Sequence, residues 1–243
     1  MTRALVLCAG KGTRLGPLGE ACPKPLLDVG GRPLLAHLLT NLARSGVREA
    51  VVNTHHLPHQ FDAFARDWNH AELQIRIHPE AALRGSAGTL RCLRPMLEGQ
   101  ASPFLVHYGD ILTDEDFSAL QRAAHHSNRI GAILVHERQR PQSVATLEDG
   151  RVTSFEERPV WVNAVSETFW TFSGVAAFND RIFSCLDSGA GTDLPRDFFP
   201  ILAREGLLNA VPCAGRRVAV DTMARLVQAR SLWPSNSPQK SSP

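Results

Sequence analysis

Lysine and paired cysteines are scarce in this sequence of 243 residues. Only Lys11, Lys24 and Lys240 occur among its 26 basic residues. The five cysteines include no C-x-x-C pair, which argues against a zinc knuckle and predicts free thiols. No apolar run approaches the roughly 20 residues that cross a bilayer, and the N-terminus lacks the pattern of a signal peptide. We therefore expect a cytoplasmic protein with no membrane partner.

A strong charge imbalance is also absent. The formal net charge is +2, with 21% charged and 43% hydrophobic residues. Nucleic-acid-binding domains concentrate positive charge on one face, so we expect no nucleic-acid partner. The preference for arginine indicates a GC-rich bacterial genome. It also draws attention to Lys11 and Lys24. A lysine places a compact ammonium group beside a phosphate, which the bulkier guanidinium group of arginine cannot do in the same way.

Three common catalytic or nucleotide-binding motifs are missing. The dinucleotide loop G-x-G-x-x-G fits at Gly10 and Gly12 but has Leu15 at its third position, and "VVNTHH" lacks the expected acidic residue. Neither a Walker loop nor the hydrolase motif G-x-S-x-G occurs. The histidines of "NTHHLPH" have no carboxylate or cysteine at suitable spacing, so we interpret them as part of a loop.

Short apolar runs alternate with amphipathic helical segments as far as about residue 140. This alternation predicts βαβ units, hence a Rossmann-like three-layer α/β/α fold with a mostly parallel mixed sheet. The stretch "SVATLEDGRVTSFEERP" then predicts a hairpin turning at Asp149 and Gly150, so we expect a β insertion in the second half. We also expect a single domain over residues 1–233, followed by a disordered tail over residues 234–243.

The most informative stretch is "LVLCAGKGTRLGPLGEACPKPLL", residues 5–27. Its glycines allow backbone amides to approach an anion, and Arg14 can hold phosphate oxygens with its fork of donors. Pro23 and Pro25 restrict the backbone around Lys24 and present its ammonium group on a stiff segment, which suits electrostatic stabilisation of phosphoryl transfer. An ordinary strand-to-helix loop with solvated charges is the alternative.

This stretch resembles the signature of the sugar-1-phosphate nucleotidyltransferases, G-x-G-T-R-L-x-P-L-T-x-x-x-P-K-P-L, with Gly19 in place of the usual threonine. "HPEAALRGSAGTL" is similar to the family's loop over the base and ribose, and "LVHYGDIL" resembles the strand whose last aspartate holds magnesium. "VTSFEERP" resembles F-x-E-K-P, and "FWTFSGVAAF" is similar to the strand beside the sugar. The resemblance therefore covers nearly the whole chain.

The resemblance implies an enzyme that joins a nucleoside triphosphate to a sugar 1-phosphate and releases pyrophosphate, with Mg²⁺ as cofactor. The short chain resembles bacterial mannose-, heptose- and N-acetylmuramate-1-phosphate enzymes, which favours GTP and a heptose- or mannose-like sugar phosphate, and it is compatible with a homodimer. In this family Arg14 would stabilise the leaving pyrophosphate, Lys24 the charge at the α-phosphate, and Asp110 the metal. The implied nucleotide-binding residues are Leu7, Ala9, Gly10, Lys11, Gly12, Thr13, Glu80, Gly88 and Thr89, and the implied substrate-binding residues are Gly109, Glu157, Arg158, Ser173 and Gly174.

Two departures from the family pattern leave alternatives open. Arg158 replaces the usual lysine, which keeps the charge but changes the geometry. The family's W-x-D-[IV]-G-T-P becomes "RVAVDTM", with Ala219 at the position of the second metal ligand and Asp221 where glycine belongs. Asp221 is therefore either the second magnesium ligand or the cap of the last helix. A uridylyl- or cytidylyltransferase for another phosphorylated acceptor, or an inactive nucleotide-sugar-binding module, is the alternative function.

Overall fold

Strands and helices alternate through the first half of the chain, as the sequence predicts. The computed structural model describes residues 2–99, 101–126, 128–139, 141–159 and 168–234. The tail predicted over residues 234–243 lies, apart from its first residue, outside the described residues. The elements up to the middle of the chain are β1 (Thr2–Leu7), α1 (Pro17–Ala21), β2 (Asp28–Val29), β3 (Arg32–Pro33), α2 (Leu34–Arg44), β4 (Val47–Thr54), α3 (Pro58–Asp67), β5 (Gln74–Pro79), α4 (Gly85–Cys92), α5 (Arg94–Leu97) and β6 (Phe104–Tyr108).

Strands predominate in the second half. Its elements are β7 (Ile111–Thr113), α6 (Ser118–Ala124), β8 (Gly131–Arg138), β9 (Ser143–Glu148), β10 (Arg151–Glu157), β11 (Phe169–Phe178), α7 (Arg181–Ser188), α8 (Phe199–Arg204), β12 (Leu208–Pro212), β13 (Arg217–Ala219) and α9 (Met223–Leu232). Within the described ranges, no helix has the length and apolar character needed to span a membrane.

A sheet of nine strands runs through the molecule in the order β5-β4-β1-β6-β11-β8-β12-β10-β9. β1 pairs in parallel with β4 and β6, and β4 pairs in parallel with β5. β11 is antiparallel to both β6 and β8. The β9–β10 hairpin occupies the far edge, and its turn residues Asp149 and Gly150 have φ values of 48° and 75°. The predicted Rossmann-like mixed sheet with a β insertion is confirmed.

Helices cover both faces of this sheet. Successive strand side chains point to opposite faces, so in β1 the buried Leu5 packs in one core cluster and its neighbours Ala4 and Val6 pack in another. The cluster of Leu5 includes residues of α4, α7 and α8. The cluster of Ala4 and Val6 includes residues of α2, α3 and α6. Burial on both faces explains the continuous apolar runs in the sequence.

Two predicted helices differ from the structure. "SAGTLRCLRPML" is divided into α4 and α5 at Leu93, because Pro95 has no N–H to continue the hydrogen-bond ladder of α4. "PRDFFPILAREG" begins with a π turn over Leu194–Phe198, which Asp193 caps by accepting a hydrogen bond from the Arg196 amide. A third difference is that β13 pairs with β7 in a separate two-stranded sheet. This small sheet carries residues 217–221 to the end of β6.

Candidate active site

A cavity of about 280 Å³ lies at the carboxyl ends of β1, β4, β5 and β6. Ligands of open α/β sheets bind at this edge, where the loops after parallel strands converge. The cavity walls come from the glycine loop, from Lys24, from the strand ends and from the N-terminal turn of α4. The lining residues are Leu7, Cys8, Ala9, Gly10, Lys24, Pro25, Asn53, Glu80, Leu83, Gly85, Ser86, Thr89, Tyr108, Asp110 and Asp193.

Hydrogen bonds from neighbouring polar side chains hold Glu80 in the wall of this first cavity. Its Oε1 accepts from Thr89 Oγ1 at 2.6 Å and from Asn53 Nδ2 at 3.2 Å. Asn53 in turn accepts from the Cys8 amide at 2.8 Å, which connects the group to the glycine loop. Glu80 is 5% exposed, and its Oε2 has no hydrogen-bond partner among the described residues. A buried oxygen without a partner is costly unless a ligand supplies a donor.

Lys24 and Asp110 meet at the inner end of the first cavity. Lys24 Nζ lies 3.3 Å from Asp110 Oδ2, and the Lys24 side chain is 13% exposed. Pro23 and Pro25 on either side of it are buried, as expected for a stiff segment. Asp110 Oδ1 accepts no hydrogen bond from the described residues, which leaves one carboxylate oxygen available to a cation.

Gly19 explains one departure from the expected loop. It is buried, and a Cβ at this position would lie 2.3 Å from the carbonyl oxygen of Gly12. A threonine here would force the glycine loop to move. The lack of a side chain at Gly19 therefore lets it pack against Gly12, which in turn approaches the Lys24 side chain.

A second cavity of about 230 Å³ adjoins the first and shares Tyr108 and Asp110 with it. Its walls come from β8, β10, β11, β13 and the start of α9. Gly174 has φ of 87°, and a Cβ there would lie 2.5 Å from Ile111, so a side chain at this position would be strained and would clash. The lining residues are Arg14, Tyr108, Asp110, Ile111, His136, Arg138, Gln142, Ser143, Glu157, Thr171, Phe172, Gly174, Pro195, Arg217, Ala219, Asp221 and Arg225.

Arginine dominates the charge of the second cavity. Asp221 is 5% exposed and accepts from Arg14 at 2.6 Å on one oxygen and from Arg225 at 2.8 Å on the other. Arg217 donates from Nε to the Ser173 carbonyl oxygen at 2.8 Å. Arg138 completes the set of four arginines in the lining.

His136 lies between Ser173 and Arg217 in the same wall. Its Nδ1 is 2.9 Å from Ser173 Oγ, and its Nε2 is 3.5 Å from an Arg217 nitrogen. Burial, and then the positive charges of Arg217 and Arg138, lower the pKa of His136 to about 4. The ring is therefore neutral near pH 7. Burial and the negative charge of Asp193 raise the pKa of Glu157 above its ordinary value.

Comparison with known proteins agrees with this geometry. The family model described as nucleotidyl transferase matches residues 3–212. The chain belongs to the nucleotidyl transferase family. It is 34% identical over 236 residues to N-acetylmuramate alpha-1-phosphate uridylyltransferase of Neisseria meningitidis, with 95% of this chain and 97% of that protein covered.

Other relatives of this nucleotidyl transferase act with a different base. Mannose-1-phosphate guanyltransferase beta-B of Xenopus laevis is 31% identical over 222 residues, which cover 88% of this chain and 59% of the relative. Among solved structures, HddC from Yersinia pseudotuberculosis in complex with GMP-PN has a TM-score of 0.77 at 20% identity, covering 96% of this chain and 99% of that one, which shows a shared fold. The predicted sugar-1-phosphate nucleotidyltransferase family is confirmed, and this chain is an enzyme of the nucleotidyltransferase class.

The structure of this nucleotidyl transferase brings most of the predicted residues to the two cavities. Leu7, Ala9, Gly10, Lys24, Glu80, Thr89 and Asp110 line the first, and Arg14, Asp110, Glu157, Gly174 and Asp221 line the second. Gly12, Gly109 and Ser173 are buried beside the walls, Gly88 is half-buried in α4, and Lys11 and Thr13 are exposed in the glycine loop.

Arg14 and Arg158 lie elsewhere than the resemblance implies. Arg14 faces Asp221 in the second cavity, so it would have to leave Asp221 to reach a pyrophosphate in the first. Arg158 is exposed and does not contribute to the lining of either cavity. It has φ of 54°, and its amide donates to the Gln142 carbonyl oxygen at 2.7 Å. A phosphate-binding role for either side chain stays a prediction.

Asp221 does not cap the last helix, and its role as a second magnesium ligand stays a prediction. The cap of α9 is Thr222, whose side chain accepts from the Arg225 amide, so the helix-cap alternative is wrong. As a magnesium ligand, Asp221 would need a free oxygen, and both of its oxygens are engaged by arginines. The second-ligand prediction therefore requires that Arg14 and Arg225 move away when a metal binds.

Asp110 fits a magnesium ion better than Asp221 does. The described residues contain no group of three or more His, Cys, Asp or Glu side chains placed to hold a metal. Mg²⁺ commonly takes one or two carboxylates and completes its shell with water and substrate phosphates. The unengaged Asp110 oxygen, at the junction of the two cavities, satisfies that requirement.

Several lining residues could not be found by matching the family signature. Asn53, Ser86 and Asp193 complete the first cavity, and His136, Arg138 and Arg217 line the second. Asn53 could have been chosen as the polar residue near the end of a buried strand. Arg138 and Arg217 gave no signal, because arginine is frequent throughout this chain.

Proposed function

We propose that this enzyme transfers a nucleotidyl group from GTP to a sugar 1-phosphate, with magnesium as cofactor, and releases pyrophosphate. The observation that carries the proposal is the contact between Lys24 and Asp110 at the junction of the two cavities. The first cavity is the site for the nucleoside triphosphate, and the second is the site for the acceptor. A reacting phosphorus atom at the junction would be within reach of both side chains.

The reaction requires positioning and charge neutralisation more than covalent chemistry. An oxygen of the acceptor phosphate attacks the α-phosphorus, and the bond from that phosphorus to the pyrophosphate oxygen breaks. Lys24, held by its prolines, stabilises the charge that develops on the α-phosphate. Asp110 would hold magnesium, which when bound supplies positive charge to the phosphate oxygens. The neutral His136 ring and the Glu157 carboxyl group offer hydrogen-bonding groups to sugar hydroxyls, and the buried Ser173 holds the His136 ring through its Nδ1.

Guanine is the base that we propose for the first cavity. Glu80 lines this cavity with an acidic side chain, and guanine carries two adjacent N–H donors on its Watson–Crick edge, N1–H and the 2-amino group, which a carboxylate can accept. The mannose-1-phosphate relatives named as guanylyltransferases support the same choice. A heptose- or mannose-like acceptor is proposed on the same resemblance.

UTP is the second candidate. The relative that covers nearly the same length is named as a uridylyltransferase, and uracil also offers an N–H to an acceptor. Uracil has one such donor on this edge and guanine has two, so we expect GTP to be used with the higher kcat/KM.

A matrix of substrates tests the proposal. Pyrophosphate release would be measured with each of GTP, UTP, ATP and CTP against mannose 1-phosphate, glucose 1-phosphate and a heptose 1-phosphate, with and without Mg²⁺. We expect Mg²⁺-dependent release that is fastest with GTP. Asp110→Asn should abolish it, and Asp149→Asn in the distant hairpin turn should not, since asparagine tolerates the same backbone conformation. Absence of pyrophosphate release in every combination would overturn this choice of acceptor, and release that is fastest with UTP would overturn the choice of GTP.

A further inference from the structure

Arg217 reaches the second cavity because of the position of β13. This strand pairs with β7, and the amide of Val220, just after it, donates to the Asp110 carbonyl oxygen at 2.7 Å. Successive side chains of a strand point to opposite faces. Val218 and Val220 are accordingly buried in a hydrophobic cluster, and Arg217 and Ala219 line the cavity. The strand therefore places a guanidinium group in the wall on the side of Asp110.

The backbone of β11 orients this guanidinium group. Arg217 Nε donates to the Ser173 carbonyl oxygen at 2.8 Å, and Nη1 lies 3.5 Å from Nε2 of His136. The His136 ring is neutral, as derived above, so it does not compensate the charge of Arg217. No hydrogen bond of Nη2 occurs within the described residues. Arg217 is thus held on one side and keeps donors for a ligand.

The other arginines of this region are less suited to bind the acceptor phosphate. Arg14 and Arg225 are engaged by the two oxygens of Asp221. Arg138 has no hydrogen bond in the described part of the chain to orient it, and the charges that act on it are those of Arg225 and Asp221. Arg158, to which the resemblance assigns the phosphate, is exposed and lies outside the lining of both cavities.

The negative charge of Asp110 acts on Arg217. Burial lowers the pKa of Arg217 to about 10, and the charge of Asp110 is the largest cause that acts in the opposite direction. The guanidinium group is therefore positively charged near pH 7. Asp110 lies where the two cavities join, and the proposed transfer requires the attacking phosphate at this junction, beside the α-phosphate of the donor.

Resting on the proposed function, we propose that Arg217 binds the attacking phosphate group of the sugar 1-phosphate, the role that the resemblance implies for Arg158. The N–H groups of a guanidinium form a planar fork that matches phosphate oxygens, which suits an oriented arginine for this task. Arg217 forms no covalent bond and transfers no proton. It holds the acceptor phosphate so that one of its oxygens faces the α-phosphorus, and Ser173 positions Arg217.

Steady-state kinetics of Arg217→Gln test this assignment. Pyrophosphate release is measured with GTP and with UTP as donors, and with mannose 1-phosphate, glucose 1-phosphate and a heptose 1-phosphate as acceptors. The KM for the acceptor should rise by about tenfold or more, because a hydrogen bond between charged groups is lost. The KM for the nucleoside triphosphate should change less than about threefold, since the donor occupies the other cavity. A purely structural role would raise both. Arg66→Gln, at an exposed position on α3, is the matched control and should change neither.

Two further variants sharpen the result. Arg217→Lys keeps the positive charge without the planar fork, so its acceptor KM should lie between those of the parent and Arg217→Gln. It also serves as the test if the glutamine variant does not fold, which thermal denaturation checks. Arg158→Gln should raise the acceptor KM less than Arg217→Gln does. An unchanged acceptor KM in either Arg217 variant, equal rises in both KM values, or a larger rise in Arg158→Gln overturns the inference and leaves the proposed function standing.

Calorimetry distinguishes failure of this inference from failure of the proposed function. Mannose 1-phosphate and glucose 1-phosphate are titrated alone and with a GTP analogue in which CH₂ replaces the α,β-bridging oxygen, so that no pyrophosphate can leave. The parent should bind at least one of them about tenfold more tightly than Arg217→Gln does. Such binding without pyrophosphate release from any donor supports the inference and overturns the proposed function. Equal binding to both proteins, or no binding to the parent, overturns the inference.

Discussion

Each of the two cavities that meet at Asp110 contains a buried carboxylate, and the hydrogen-bond donors to that carboxylate differ between the cavities. In the first, Glu80 is held by the neutral donors Asn53 and Thr89 and keeps one oxygen without a partner. In the second, the equally buried Asp221 gives both oxygens to Arg14 and Arg225. The carboxylate in the wall of the first cavity is therefore held by neutral groups, whereas the second cavity offers a ligand positive charge.

The two cavities also differ in how closely their residues match the family signature. The loop of residues 5–27 and the strand ending at Asp110 match the signature and build most of the first cavity. The departures Arg217, Ala219 and Asp221 are concentrated in the wall of the second. The departures from the family signature thus lie in the second cavity, which we propose as the acceptor site.

The largest effect is expected at the junction. Lys24→Ala should lower kcat by about 100-fold or more, because it removes a preorganised positive charge from the reacting phosphate. Lys11→Ala is the matched control, since Lys11 is an exposed lysine of the same loop. It should change kcat less than about threefold, measured by pyrophosphate release under saturating Mg²⁺.

Similar losses in the two lysine variants would contradict this assignment. They would mean that Lys11 moves onto the triphosphate when it binds. Both variants should unfold at temperatures close to that of the parent protein, which thermal denaturation checks.

The next largest effect concerns the unpartnered oxygen of the first cavity. Glu80→Gln puts an amide group at this position, so a donor can replace the acceptor that guanine requires. We expect the ratio of kcat/KM for GTP to that for ATP to fall by about tenfold or more. Glu148→Gln, exposed in the β9–β10 hairpin, is the control. An unchanged ratio would remove Glu80 from base selection.

A smaller effect tests whether Asp221 is an ion-pair partner of two arginines or a magnesium ligand. Because both of its oxygens contact arginines, Asp221→Asn should lower the free energy of unfolding by about 1 kcal/mol, a modest figure since Arg14 is largely exposed. The Mg²⁺ concentration for half-maximal activity should change less than about threefold. A tenfold rise in that concentration would instead identify Asp221 as a magnesium ligand that the arginines release.

The smallest expected effect is a pH dependence of the free energy of unfolding that arises in the second cavity. The pKa of His136, in the second cavity, is held at about 4 by burial and by Arg217. The unfolded chain therefore takes up a proton on this residue at a higher pH than the folded chain does. Stability from this source is complete above about pH 6.5 and is lost as the pH falls toward 4.

Denaturant unfolding at several pH values measures this loss. His136→Gln should reduce the slope of the free energy of unfolding between pH 6.5 and 4 by less than about 1.4 kcal/mol per pH unit, since the ring is half-buried. His125→Gln, at an exposed position, is the control. An unaltered slope in His136→Gln would mean that the ring titrates alike in both states.

The sequence predicts the sheet and the first cavity because both depend on local patterns. Short continuous apolar runs locate β1, β4 and β6, and a long motif locates Lys24. The second cavity is assembled from β8, β11, β13 and α9, which are distant in the chain. No local pattern reveals that Arg14 contacts Asp221, 207 residues away, or that Arg217 approaches Asp110.

Tyr108 and Asp110 are walls of both cavities, so on the proposed function a product that joins nucleotide and sugar would touch both cavities, except for the groups that held the departed pyrophosphate. Tethering the two halves makes the binding of the second half effectively intramolecular. The nucleotide sugar should accordingly compete with both substrates and bind more tightly than either fragment. On the proposed function, a shared wall of this kind would make the enzyme sensitive to the accumulation of its own product and would couple its flux to the rate at which the next reaction removes that product.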